Sequence, residues 1–261
     1  MEVIQSRQNP LIKICAKLAA NRRERLKSGL SLLDGPHLIV AALDSGHTLQ
    51  RIFVAESAVD KPEVIQILKR TSVPHSVVTD NLFSELSELE SVSGILAIWR
   101  FPMAPDALQV GWVLALDGVQ DPGNVGSILR TAVAAGVQQV WLSPACADVY
   151  SPKVLRAGMG AHFLMPIIER ADLPELLSAF NGQRAVTALD GSISIYGAQL
   201  TGSIAMVMGS EGMGVSQVVL DRATLRLRIP MQPGLESLNV GAAAAICLYE
   251  RVRQLSIITE Q

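Results

Sequence analysis

WVLALDGVQDPGNVGSILRTAVAAG, residues 112–136, decides the fold. It opens with an apolar run that lacks polar alternation, the texture of a strand buried on both faces. A Pro122-Gly123 turn follows, and the reading predicts a helix opening near Gly126. Ile128, Leu129, Ala132 and Val133 form the apolar side of that helix, and Gly136 closes it as a C-cap. Strand, glycine-bearing turn and helix together make half of a β-α-β unit. Arg130 projects from the other side between the small residues Ser127 and Ala134. There it suits either contact with an anionic group or plain solvation. Asn124 suits either a cap or a ligand contact.

The alternation continues on both sides of this stretch. Downstream lie QQVWLS, FLMPII, RAVTALD, IAMVMGS and LRLRIPM, strand-like and rich in Val, Leu and Ile, with helical stretches between them. Upstream lie QRIFVAES, HSVVT and GILAIWR, with helical patterns in LLDGPHLIVAALDSG and KPEVIQILKRT. FPMAPDALQ, residues 101–109, separates the two textures. The expected organisation is a smaller α/β domain over 1–100, a linker over 101–109 and a parallel-sheet α/β domain over 110–261.

Composition narrows the class. At 49% hydrophobic and 18% charged, the 261 residues are too apolar for a disordered chain and long enough to bury a core. No apolar run approaches the roughly 18 residues of a membrane span, and MEVIQSRQNPLIK lacks the apolar region of a secretory signal. Three scattered cysteines (Cys15, Cys146, Cys247) suit neither a disulfide framework nor a zinc site, so the expected setting is the cytoplasm, with no metal. Net charge is −2, yet Arg7, Lys13, Lys17, Arg22, Arg23, Arg25 and Lys27 crowd one short segment against Glu24 alone. That segment reads either as a phosphate-contacting arm or as the solvated face of a helix whose buried stripe is Leu11, Ile14, Cys15 and Leu18.

Two more glycine-bearing stretches follow strands, where open α/β sheets bind ligands. VMGSEGMGVS, residues 207–216, matches neither the dinucleotide fingerprint nor a P-loop. Glu211 within it is a poor neighbour for phosphate and a good one for a cationic or hydroxyl-rich ligand; it equally suits bonding to the loop's own amides. In LRIPMQPGLESLNVGAAAAICLYERV, residues 227–252, a strand runs through a Pro-Gly turn to Ser237-Leu238-Asn239 and an alanine-rich helix. Ser237 suits an N-cap there.

In order and spacing, N-V-G-S-I-L-R (124–130), M-G-S-E-G-M-G (208–214) and I-P-M…E-S-L-N-V (229–240) resemble the motifs of the SpoU (TrmH-like) class of the SPOUT superfamily, RNA 2′-O-ribose methyltransferases that use S-adenosylmethionine. S-P-K-V-L-R-A-G-M-G-A (151–161) is also similar to the family. S-R-Q-N-P-L-I-K (6–13), D-G-P-H-L-I-V-A-A-L (34–43) and S-G-I-L-A-I (93–98) resemble its N-terminal substrate-binding domain. The resemblance covers nearly the whole chain. Asp34 stands where relatives usually carry Glu, and Gly241 where they commonly carry Ser or Ala.

The resemblance implies a deep trefoil knot in the C-terminal domain, against the general absence of knots. It also implies a homodimer whose site draws on both subunits, and the alanines at 242–245 fit a close-packed interface. Arg130, Asn124, Glu211, Ser237 and Asn239 are then the catalytic set. Leu189, Gly209, Ile229, Met231 and Leu238 would hold the cofactor largely through backbone, and Arg7, Lys13, Arg22, Arg23 and Arg25 would contact RNA. Neutralising an arginine at pH 7 costs about 7.5 kcal/mol at about 1.36 kcal/mol per pH unit, because a guanidinium holds its proton far above neutral pH. Arg130 is therefore read as a charged donor that stabilises the developing alkoxide, rather than as a general base. Ribosomal RNA is favoured over tRNA as substrate. A non-catalytic RNA-binding relative is the alternative, and a dehydrogenase fits poorly because the dinucleotide fingerprint is missing.

Overall fold

The computed structural model describes residues 3–87, 93–188, 190–234 and 237–259, with side chains up to 256. The chain divides into two compact units: Met1–Met103 with Tyr150–Phe163, and Ala104–Val149 with Leu164–Gln261. Among the described residues no helix is long and apolar enough to cross a membrane.

The first unit begins with strand β1 (Val3–Ile4), followed by helices α1 (Pro10–Ala20) and α2 (Arg22–Ser28). Asn9 Oδ1 accepts from the Leu11 amide at 2.9 Å and Pro10 occupies the first helical position, so the local sequence starts α1 sharply. Asn21 ends α1 and caps α2 through the amides of Arg23 and Glu24. Then come β2 (Leu30–Asp34), α3 (Pro36–Asp44), β3 (Leu49–Ala55), α4 (Pro62–Lys69), β4 (His75–Val78), α5 (Asp80–Leu86) and β5 (Ile95–Arg100). The strands form a sheet ordered β1-β4-β3-β5-β2, in which β1, β4 and β3 run parallel and β5 runs antiparallel to both β3 and β2.

Two expectations for this unit need correction. The buried stripe of α1 is Ile12, Cys15 and Leu18, whereas Ile14 is exposed and Leu11 only half-buried. Arg25 is not part of an open basic face. Its side chain is buried at 4% exposure, and its guanidinium donates to the carbonyls of Leu18 and Ala19, which the end of α1 leaves without helical partners. Asp34 ends β2 with its carboxylate accepting from the hydroxyls of Ser87 (2.7 Å) and Ser93 (2.9 Å).

Residues 150–163, expected in the C-terminal domain, belong to the first unit. They carry α7 (Pro152–Gly158), which packs on β2, and two aromatic anchors. Tyr150 stacks on Phe101 with ring centroids 4.1 Å apart, and Phe163 meets Trp99 edge-on at 5.0 Å. Burying that aromatic area outweighs sequence neighbourhood.

The second unit contains β6 (Trp112–Asp117), α6 (Pro122–Ala135), β7 (Gln139–Leu142), β8 (Ile167–Ile168), α8 (Leu173–Ala179), β9 (Gln183–Thr187), β10 (Ile193–Ser194), β11 (Ile204–Gly209), α9 (Gln217–Leu220), β12 (Leu225–Arg228) and α10 (Val240–Thr259). Its seven strands are ordered β10-β12-β9-β11-β6-β7-β8 and all pairs are parallel. Every residue of β6 and β11 is buried, as an unalternating apolar run demands of a sheet covered on both faces.

From β6 the chain passes through α6 to β7 on one side, while β11 pairs with β6 on the other. The carboxyl ends of β6 and β11 therefore meet at a topological switch point, where open parallel sheets bind ligands. Helix α6 starts four residues earlier than expected, at Pro122. Asp121, not Asn124, is its cap, with Oδ1 accepting from the Asn124 amide at 2.7 Å. Gly136, at φ +87°, closes it as expected. Likewise α10, which packs on α6, is capped by Asn239 instead of Ser237.

Candidate functional site

With Asp121 capping α6, the Asn124 side chain is released from helix duty one turn inside the helix. Its Nδ2 donates to Glu211, which follows β11. Asn239 completes the group. Its Oδ1 accepts from the amides of Gly241 (2.9 Å) and Ala242 (3.3 Å), so its Nδ2 must face the other way. There it donates to Asn124 Oδ1 at 3.0 Å and Glu211 Oε1 at 3.4 Å. Three residues predicted from three separate motifs, 28 to 115 positions apart, thus form one bonded cluster. Gly241 matters to it, since a Cβ at that position would lie 3.1 Å from Asn239 Oδ1 and 3.2 Å from Ser127 Oγ.

The loop carrying Glu211 is folded on itself. The amides of Ser210 and Gly214 each donate to the other's carbonyl, at 3.0 and 2.9 Å, and Ser210 Oγ accepts from the Met213 amide. Asp117, buried at the end of β6, accepts from the Ser216 amide at 2.8 Å and ties the loop to the sheet. Gly209 must be glycine in this arrangement, because a Cβ would lie 2.2 Å from the Gly214 carbonyl carbon and 2.3 Å from the Val215 nitrogen.

A cavity of about 600 Å³ lies beside the cluster, within the usual size of small-molecule sites. Gly209, Ile229, Met231 and Leu238 line it, as do Glu211 and Ser237. Leu189 lies outside the described residues, but its neighbours Ala188 and Asp190 line the same cavity. This wall of glycine backbone and apolar side chains, with a carboxylate at the end of β11, suits a nucleoside ligand carrying a cationic group. Cys146 lies close to these strand ends, donating to the Leu116 carbonyl at 3.2 Å, and burial pushes its thiol pKa up, so it serves packing and not nucleophilic chemistry.

Arg130 is placed apart from this cluster. It is exposed, no hydrogen bond joins it to the described residues, and six residues of helix separate it from Asn124, about 9 Å along the axis. Of the predicted RNA-contacting residues, Lys13 and Arg23 are exposed and Arg22 is half-buried. Arg7 is exposed with its guanidinium on Glu85, and Arg25 is buried as described. Sequence reasoning missed Asp117, Asp121 and Ser127 as supports of the site. The Asp121-Pro122 pair held a readable signal, an N-cap residue followed by proline at the first helical position.

Residues 111–249 match the SpoU rRNA Methylase family, and residues 9–97 match the MRM3-like substrate binding domain. The chain is 35% identical to an uncharacterized tRNA/rRNA methyltransferase of Synechocystis, over 96% of this chain and 93% of the relative. It is 33% identical to the 23S rRNA (guanosine(2553)-2′-O)-methyltransferase RlmP of Bacillus subtilis, over 95% and 98% respectively. The AdoMet-bound rRNA methyltransferase from Sinorhizobium meliloti superposes with a TM-score of 0.85 at 27% identity, covering 97% of this chain and 98% of that one.

Proposed function

The chain belongs to the SpoU rRNA methylase family, and on that premise we propose that it methylates a ribose 2′-oxygen of RNA, with S-adenosylmethionine as methyl donor and ribosomal RNA as the favoured substrate. The observation that carries this reading is the Asn124–Glu211–Asn239 cluster beside the cavity lined by Gly209, Ile229, Met231 and Leu238. Asp190 lines the same wall, and the cofactor-holding role expected of Leu189 is part of this reading. When bound, S-adenosylmethionine supplies a methyl group on a sulfonium, already activated for displacement.

The residues then divide the remaining work. Asn124, Glu211 and Asn239 hold a fixed arrangement of donors and acceptor at the reacting end, and Ser237 presents a hydroxyl beside them. Preorganised groups of this kind place the attacking oxygen and methyl carbon within about 3–3.5 Å. Arg130 acts as a charged donor to the 2′-oxygen as its proton leaves, and to the adjoining phosphate. Its separation from Asn124 within one chain supports a homodimer in which a second copy brings Arg130 to the cluster. The exposed Ala242 and half-exposed Tyr249 on α10 fit such an interface. The return of the chain after β12 to pack α10 on α6 supports the threaded, knotted course implied by the motifs.

Lys13, Arg22 and Arg23, with Arg7, form the RNA-contacting face of the first unit. Arg25, buried on the carbonyls of Leu18 and Ala19, stands apart from that face. The family and its RNA substrate fit a cytoplasmic setting.

Label from methyl-labelled S-adenosylmethionine should enter the rRNA pool, and not the tRNA pool, of cells lacking this gene, at a ribose 2′-oxygen. Arg130→Ala should abolish the transfer. Label in tRNA alone would reverse the substrate assignment, and absence of cofactor binding would overturn the reading.

A further inference from the structure

We propose that Glu211 reads the charge on the cofactor's sulfur, favouring the cationic methyl donor over the neutral product. This inference rests on the cofactor reading above and adds a role for one carboxylate within it. Methyl transfer breaks the S–CH₃ bond with its electron pair left on sulfur. The ribose oxygen gains the methyl and gives its proton to water, and the sulfonium, having lost the methyl, becomes a neutral thioether. A site that holds the donor by charge therefore loosens its grip at the moment of product formation.

The geometry gives Glu211 that position. It lies in the cavity wall just past the end of β11, and both side-chain amides of the cluster donate to its Oε1. Because α10's first amides fix the orientation of Asn239, the carboxylate is held by neutral donors on one oxygen. Among the described residues no hydrogen bond reaches its Oε2, and no cation pairs with it. An oriented carboxylate that is not neutralised by an internal partner retains its attraction for an incoming cation.

The other charged side chains of the wall, Asp190, Arg226 and Arg228, belong to a different part of it. Strand β12, which carries both arginines, is two strands from β11, about 10 Å at the usual spacing. The Arg228 guanidinium is engaged with the Ser192 carbonyl. Arg226 Nη1 lies 3.6 Å from where a Cβ on Gly191 would be, next to Asp190. Glu211 thus stands alone among the charged side chains of the wall at the β6–β11 switch point, with Asp190 and the two arginines toward the β10 edge of the sheet.

A competing role for Glu211 is to balance the positive N-terminal end of α10, which acts on any ligand alike. Calorimetry separates the two roles. S-adenosylmethionine, an analogue with a protonated amine in place of the sulfonium, and S-adenosylhomocysteine are titrated into the full chain and into Glu211→Gln. The wild type should bind both cationic ligands at least about fivefold more tightly than the thioether at low salt. In Glu211→Gln, which keeps an acceptor for both amides, that ratio should fall to within about twofold of one. An unchanged ratio in the variant, equal weakening of all three ligands, or a wild-type ratio near one would overturn the proposal. Should the variant fail to fold, the wild-type ratio measured between about 50 and 500 mM salt decides it, shrinking if charge is read and constant if it is not. A wild type that binds none of the three ligands contradicts the cofactor reading itself, a result distinct from any of these.

Discussion

In the first unit β2 and β5 run against their neighbours, so each edge of the sheet mixes carboxyl and amino strand ends. In the second unit all seven strands run one way; segments following β9, β11 and β12 line one cavity, and α6, which follows β6, brings Asn124 to the cluster beside it. Both sheets are built on the same buried Val, Leu and Ile, so composition does not separate their roles. Strand direction does, because only the parallel sheet gathers several loops at a switch point. The first unit instead exposes Lys13 and Arg23 on its two N-terminal helices, the charge that phosphate contact needs in the proposed function.

The largest break in this contrast is predicted at Gly209. Its alanine variant would force apart the 210–214 loop and lower cofactor affinity by about 100-fold or more, read by calorimetry, since the clash is with backbone and not with a movable side chain. No single alanine in the first unit should do this. A smaller effect separates structure from RNA contact within the basic arm. Arg25→Ala should cost about 1–3 kcal/mol of stability through the unsatisfied carbonyls of α1, visible as a lower Tm, with RNA affinity of the folded variant unchanged.

The smallest effect compares how tightly the two units are closed. Burial pushes the thiols of Cys15 in the first unit and Cys247 in the second up to about 12. A raised folded-state value means that stability is complete below the unfolded thiol's pKa, about 8.5, and declines as pH rises from there toward 12. Native protein at pH 8 should therefore resist thiol reagents that label all three cysteines at once in denaturant. Rapid labelling of one of these two cysteines alone would show that its unit opens independently of the other.

What could be read from sequence follows the range of the interaction involved. The strands β6 and β11 were legible because an unalternating apolar run has one explanation, and Gly136 because a left-handed cap favours glycine. The two-residue strands β1 and β10 carry no pattern of their own and exist only by pairing with β4 and β12. Arg25 reads locally as one of a solvated basic run, and its burial depends on where α1 ends. The site residues Asn124, Glu211 and Asn239 were named through motif resemblance, yet their mutual hydrogen bonds span up to 115 positions and no local rule gives them. The placement of 150–163 with the first unit depends on aromatic contacts of similar reach.

The division of labour between the units is tested most directly by steady-state methyl transfer to rRNA with two variants side by side. Asn124→Ala should lower kcat by about 100-fold with the KM for RNA unchanged. Lys13→Glu combined with Arg23→Glu should raise that KM by about tenfold, and flatten its salt dependence, with kcat unchanged. A loss of kcat in the charge-reversed variant, or full kcat in Asn124→Ala, would contradict the account.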